Sequence, residues 1–350
     1  MRIAVVGAGV VGMSATAALL DAGHDVTCYE SGAIMGERSA GATRIFRLAH
    51  VDPDLVRLAQ RSKVGFDEWS ARASRPMLIN SECVVTGTDM ADRAAAMAAA
   101  GADYEVVGVG SGRIRLPVRT APAPALIDVA GGVVDVDAVR DFLTRRAGPA
   151  VAYEPVYRLD ITSDGAAEVT VADGRRGYDA LLVAAGAATA HLAAQVGIYT
   201  PPQLAHHLRC TFRVDGDRWQ SWIDKPADGP GTYQHQSGPG TWAVGGSIDP
   251  ALMAWEVGRD AATEASRSAL VEYARAYLAV DPLVVDGLYC TTIPALGDGI
   301  HVRRNGPVVV VYGENLMKFA PALGADLARM VGSAPLGGEG GPVQPRGEER

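Results

Sequence analysis

Apolar residues run unbroken from Ile3 to Val6 and then give way to glycines at positions 7, 9 and 12. A short, wholly apolar run of this kind suits a strand buried on both faces of a parallel sheet. Met13–Ala22 is rich in helix formers, and Gly23 stands where a helix-ending glycine belongs. Val26–Tyr29 predicts a second strand, ended by Glu30. Leu55, Leu58, Ala59, Ser62, Phe66 and Trp69 recur at helical spacing among charges, which predicts a helix over 55–71. Met77–Thr86 alternates like strands, 89–100 is an alanine-rich helix, and 114–126 is proline-punctuated loop and strand. Gly131–Asp137 leads into a helix that reaches Arg145. From there the pattern turns to strands at 151–159, 168–172, 178–187, 208–214, 233–236 and 242–245, followed by a helix over 261–278. Cys290–Pro294 and Val308–Tyr312 predict late strands, and Lys318–Val331 a closing helix. No internal repeat interrupts this order.

The opening strand, glycine turn, helix and acid-ended strand are in register with a dinucleotide-binding βαβ unit. Gly7 lets the chain turn, Gly9 lets backbone approach a pyrophosphate, and Gly12 allows close helix–strand packing. Glu30 is placed to accept hydrogen bonds from ribose hydroxyls, and its charge disfavours a 2′-phosphate, hence NADP. The competing reading, a signal peptide or anchor over 3–20, is opposed by the glycines, by Asp21 and by the strand that follows at once. No other stretch approaches the roughly 20 apolar residues a membrane span needs.

The fold class expected is α/β: a Rossmann-type nucleotide domain with a second, mostly antiparallel β domain over it. The expected division gives 1–75, 131–200 and 286–335 to the first domain, and 76–130 and 201–285 to the second. Residues 336–350, rich in Gly, Pro, Glu and Arg, are expected to be a disordered tail. A net charge of −8 without a basic block argues against nucleic acid or an anionic membrane as a partner. Four dispersed cysteines, Cys28, Cys83, Cys210 and Cys290, fit a reduced, cytoplasmic protein. His206, His207, Cys210 and His235 do not make a metal site by pattern, because adjacent residues of a strand face opposite ways. Trp219, Trp222, Trp242 and Tyr233 suit either a substrate pocket or a core.

Four blocks resemble the FAD-dependent amine and amino-acid oxidoreductases of the monomeric sarcosine oxidase group, within the D-amino-acid oxidase-like fold. They are Gly7–Gly12 with Glu30; Ser39-Ala-Gly-Ala-Thr-Arg-Ile-Phe-Arg47; Asp179–Ala187; and Tyr289-Cys-Thr-Thr with Tyr312–Phe319. The resemblance, over about residues 1–335, implies FAD held by Gly7, Gly9, Val10, Val11, Gly12, Glu30, Ser31, Thr43, Arg44, Ala185, Gly186, Cys290, Gly313, Asn315, Met317 and Lys318. It implies a substrate carboxylate clamped by Arg47 and Lys318, with Arg44 beside the flavin and Tyr233 in the pocket. A guanidinium offers a carboxylate a planar fork, and an ammonium adds a point charge. The plainer alternatives pair Arg47 with Asp52 or Asp54 and leave Lys318 exposed.

Cys290 lies near the family's cysteinyl attachment point for FAD. Matching the family's cysteine-x-tyrosine pattern through Tyr289 puts Gly287 there instead, and a buried, inert thiol is the other reading. The family's oxygen-activating lysine, on a central strand, has Trp242 or Ala243 in its place, and Ser247 stands near its histidine. The activity implied is oxidation of the C–N bond of a secondary or cyclic amine or amino acid by hydride transfer to FAD. An imine results and, with oxygen, hydrogen peroxide. The rivals are a flavin dehydrogenase with another acceptor and a non-catalytic FAD-binding subunit. A monomer or small homo-oligomer is expected.

Overall fold

The computed structural model describes residues 1–333 apart from Val109, Ala123, Gly229, Pro230 and Ser247. The expected tail at 336–350, and Ser247, therefore lie outside the described residues. The opening unit forms as read: β1 (Arg2–Val6), α1 (Val10–Asp21) and β2 (Asp25–Tyr29). β1 is the centre of a six-stranded sheet, parallel to Ala180–Val183 on one side and to β2 on the other. Val308–Gly313 continues it in parallel, Ile300–Asn305 closes that edge antiparallel, and Val151–Ala152 ends the other. All four residues of Ala180–Val183 are buried, as a strand sandwiched between layers requires.

β3 (Thr43–Phe46) pairs with Gly132–Asp135, which also carries Leu78–Ile79. α2 (Pro53–Ala73) follows β3, capped by the Asp52 carboxylate on the Asp54 N–H at 2.8 Å. The second large sheet has eight strands in the spatial order 281–292, 205–213, 241–246, 232–238, 221–225, 83–87, 125–128, 104–107. Its pairs are antiparallel except Cys83–Gly87 with Ser221–Lys225. Two domains of the expected classes are thus present, with Ala320–Gly332 packed back on α1, where a Cβ on Gly324 would lie 2.5 Å from that of Ser14.

Two expected boundaries move. Asp281–Thr292 is one strand paired along Ala205–Arg213, so the division at 286 would cut through a continuous ladder and belongs after Thr292. The half missed from the pattern carries Pro282, Asp286 and Gly287 and is largely exposed, so it has no apolar alternation to read. Leu78–Ile79 likewise pairs beside β3 and not in the eight-stranded sheet, so the division at 76 comes a few residues early. Among the described residues, no helix is long and apolar enough to cross a membrane.

Candidate active site

The nucleotide cradle is built where β1 meets α1. Gly7 adopts φ 102°, and a Cβ there would stand 2.5 Å from the Ala184 carbonyl oxygen. A Cβ on Gly12 would stand 1.9 Å from the Gly7 carbonyl oxygen, so both glycines are demanded by backbone packing. Gly9 is different: a Cβ there would meet only Ser39 Oγ, at 3.4 Å, which leaves its face open. Val10 and Val11 begin α1, which has no acid in its first turn, and the Val10 N–H donates to Ser39 Oγ at 3.0 Å. The Glu30 carboxylate accepts from the Ala8 and Gly32 N–H groups, both at 2.8 Å, which aims it beside that open face. Ala185 and Gly186 (φ 57°) turn off the neighbouring strand against Gly7, whereas Ser31 is exposed at the rim.

A cationic corner forms where β3 meets the turn 316–319. Arg47 is buried, donates to the Ala49 carbonyl and pairs with Asp298. Lys318, also buried, places Nζ 3.8 Å from the other Asp298 oxygen, which accepts from Asn315 Nδ2 at 2.7 Å. The two cations read from sequence therefore do converge, and neither Asp52 nor Asp54 takes Arg47, since Asp54 pairs with Arg57. Burial, then Arg47, pushes the Lys318 ammonium down to about 7, with Asp298 opposing. Burial raises Asp298, but Lys318 and Arg47 outweigh it and hold the carboxyl well below its usual range. His50 lies 3.7 Å from Asp298, yet burial, Arg47 and Lys318 hold it well below its ordinary pKa, so this contact is no ion pair at neutral pH. Asn315 adopts φ 57° to turn its amide to Asp298, Gly313 leaves room for the Gly299 carbonyl, and Met317 is buried beside Lys318.

Behind Arg47, the wholly buried Asp128 accepts from the Ala49 N–H at 3.0 Å, the Ala130 N–H at 3.2 Å, and the Leu48 N–H. Burial pushes its carboxyl up to about 6 against those hydrogen bonds and Arg47. Arg93 donates to the Ala49 carbonyl and pairs with Asp89 at 2.6 Å.

A second wall gathers Arg44, Thr43, Tyr233, Cys290, His207, His235 and Arg209. Thr43 turns its hydroxyl to His235 Nε2 at 3.0 Å. The Tyr233 hydroxyl meets His207 Nε2 at 2.7 Å, and its ring fills the space that Gly245 leaves, 2.2 Å from where a Cβ would be. His206 faces the other way, to the Tyr289 hydroxyl at 2.8 Å. Trp222 and Trp242 are core residues, and Trp242 Nε1 donates to Gln234 at 2.9 Å. Cys290 is half-buried, paired in register with His207, and its thiol is pushed up by burial with Arg44 and Arg38 opposing. Sequence reasoning missed Asp298, Asn315 as its partner, His50, Asp128 and Arg209. The only sequence signal for Asp298 is its place between Gly297 and Gly299, which reads as an ordinary turn.

A family model described as FAD dependent oxidoreductase matches residues 2–330. The chain belongs to this family. Among solved structures, a single-residue variant of NikD, an unusual amino acid oxidase essential for nikkomycin biosynthesis, in its open form, superposes with a TM-score of 0.81 at 20% identity, covering 99% of each chain. Glycine oxidase from Geobacillus kaustophilus gives 0.76 at 18%, covering 97% of this chain and 96% of its own. L-Proline dehydrogenase from P. horikoshii gives 0.77 at 16%, covering 96% and 95%. No match is found among curated protein sequences.

The residues of this FAD-dependent oxidoreductase fit the cofactor. The open face at Gly9, the N-terminus of α1 with no acid in its first turn and the Ser39 hydroxyl suit a pyrophosphate, which a helix N-terminus favours. Glu30, at the end of β2, is the acid that would face a ribose. Arg209 Nε and His235 Nδ1 are buried without a hydrogen-bond partner among the described residues, as expected of a wall that waits for a polar ligand.

Proposed function

We propose that this oxidoreductase oxidises the C–N bond of a secondary or cyclic amine or amino acid, with the substrate carboxylate at Arg47 and Lys318. The observation that carries the reading is the charge count of the corner. Two buried cations share one acid, Asp298, so with Lys318 protonated and the Asp128 carboxyl behind Arg47 neutral the corner holds one positive charge in excess. A buried excess charge is costly until an anion joins it. Arg47 is held from behind by the Ala49 carbonyl, so its fork is fixed before a ligand arrives. His50, neutral, adds no competing charge.

FAD, when bound, supplies the two-electron acceptor. The protein's own part is to fix the carboxylate, exclude water from the apolar side around Phe319 and Met317, and receive the amine as the free base. The substrate loses a hydride from carbon and a proton from nitrogen, and the resulting imine is hydrolysed by water after release. Strand Thr241–Gly246 carries no cation. That observation favours, as a second reading, a dehydrogenase passing its electrons to an acceptor other than oxygen. If a thioether tether to FAD forms, Cys290 is the residue that supports it, because Cys28, Cys83 and Cys210 are buried and Cys290 is only half-buried.

The test is anaerobic mixing of the FAD-loaded protein with a series of secondary amino acids, followed by air or an artificial acceptor. Bleaching by a carboxylate-bearing amine, with a strongly raised half-saturation in Arg47→Ala at unchanged FAD content, supports the reading. No bleaching by any amine, or identical behaviour of Arg47→Ala, removes it. Recovery of colour with the artificial acceptor only would favour the dehydrogenase.

A further inference from the structure

Arg47 is followed at once by a tight, buried turn, Leu48–Ala49–His50, and its guanidinium folds back over that turn. The Ala49 carbonyl accepts from Arg47 Nη1, and His50 Nδ1 lies 3.3 Å from the same nitrogen. The His50 N–H closes the turn on the Leu48 carbonyl at 2.7 Å. Where this turn lies therefore sets where the fork of Arg47 points. Two residues from elsewhere in the chain take hold of the turn. Asp128 accepts the Leu48 and Ala49 N–H groups on one carboxylate oxygen, and Arg93 donates to the Ala49 carbonyl beside Arg47. Asp128 ends one strand of the eight-stranded sheet, and Arg93 lies in the helix Met90–Ala99 that follows another.

Charge does not explain either residue. The charge of Arg93 is met by Asp89 at 2.6 Å, and Asp89 also meets Lys225 at 2.8 Å. Asp128 is wholly buried, and burial pushes its carboxyl up against three backbone hydrogen bonds and Arg47. A buried acid is costly to keep, and its negative charge behind an anion site works against the ligand. What it supplies is one oxygen that takes two adjacent N–H groups. Together the two residues grip Ala49 from both sides, one by its N–H and one by its carbonyl.

That grip bears on the fork directly. A guanidinium meets a carboxylate through two parallel hydrogen bonds only when the two planes are aligned. Arg47 Nη1 is tied to the turn and Nη2 to Asp298, so a shift of Ala49 turns the whole fork. A fork fixed beforehand also keeps the ordering of a long side chain out of the binding step.

We propose that Asp128 and Arg93 are positioning residues for the Arg47 fork, and that through it they select a planar carboxylate over a spherical anion of equal charge. The proposal rests on the reading of Arg47 as the holder of the substrate carboxylate. Neither residue touches the substrate in this scheme; both act through the Ala49 backbone.

The experiment titrates FAD-loaded protein with propionate and with bromide at pH 8, following flavin absorption. Asp128 is ionised at that pH, since its carboxyl titrates at about 6, so loss of its charge alone should tighten both anions. Asp128→Leu should instead weaken propionate and not bromide, lowering the propionate-to-bromide affinity ratio about tenfold or more. Asp128→Asn keeps an oxygen for the Leu48 and Ala49 N–H groups and should stay within about twofold of the wild-type ratio. FAD content should not change in either. If Asp128→Leu does not load FAD, Arg93→Met reads the other side of Ala49 and should lower the ratio about threefold or more. An unchanged ratio overturns the proposal, whether both anions bind as before, tighten together through charge or weaken together through a general loosening of the corner. An equal fall in Asp128→Asn also overturns it, because the oxygen that holds the turn is still present there. Arg47→Ala is titrated in parallel. If it keeps the wild-type ratio, the carboxylate reading fails and takes this proposal with it. If it loses the ratio while the Asp128 and Arg93 variants keep it, this proposal alone fails.

Discussion

Lys318 makes ligand binding at the cationic corner depend on pH in a range where an ordinary lysine would not. Its ammonium titrates at about 7, against 10.5 for an unperturbed lysine. A carboxylate that binds the protonated form sees about nine-tenths of it at pH 6 and about one-tenth at pH 8, so affinity falls about tenfold over that interval. The sign follows from linkage: a second anion beside Lys318 raises its pKa, so binding takes up a proton and weakens as pH rises. The groups facing Lys318 are Arg47, Arg93, Asp298, His50 and Cys83. Cys83 is pushed up to about 12 and His50 is pushed well below 6.5, so neither titrates between pH 6 and 8. Asp128, at about 6, loses its proton over the lower part of the range and weakens anion binding in the same direction. The assay is the change in FAD absorption on titrating propionate into wild type and Lys318→Met at pH 6, 7 and 8. The wild type should show the tenfold fall enlarged by the share due to Asp128, and the variant that smaller share alone. Asp298→Asn removes the charge that holds the Lys318 pKa up, so its fall should begin at lower pH. The same pH dependence in wild type and Lys318→Met would refute the reasoning.

Gly12→Ala places a Cβ 1.9 Å from the Gly7 carbonyl and should cost stability at the upper end of the about 1–3 kcal/mol of an overpacked core, with loss of FAD, read by melting and absorbance. Asp128→Asn tests a buried acid whose folded pKa, about 6, exceeds the 3.8 of the free group. The folded chain takes up that proton first, so from pH 7 to 4 wild type should gain about 2 kcal/mol relative to the variant in denaturant unfolding. Cys290→Ala should release all FAD to the supernatant on acid precipitation. If the wild type holds colour in the pellet and the variant does so too, Cys290 carries no tether.

What could be read from the sequence is what lies close together in it. Gly7, Gly9, Gly12 and Glu30 lie within one βαβ unit, so spacing alone groups them, and the backbone packing that excludes a Cβ at Gly7 and Gly12 is local to that unit. The cations Arg44, Arg47 and Lys318 were legible too, but their neutralisation was not. Asp298 reaches Arg47 across 251 residues, from a glycine-flanked turn that carries no apolar period. Arg209 sits in a strand whose alternation reads only as sheet, and its partner Thr43 is 166 residues away. Trp242 and Tyr233 show the same limit, one entering the core and the other hydrogen-bonded to His207, with like patterns around them. Arg44 and Arg47 stand three residues apart in one motif, yet one meets an acid and the other meets a second arginine. A motif therefore specifies where a charge starts, and the tertiary fold decides whether that charge is satisfied within the protein or kept for a ligand.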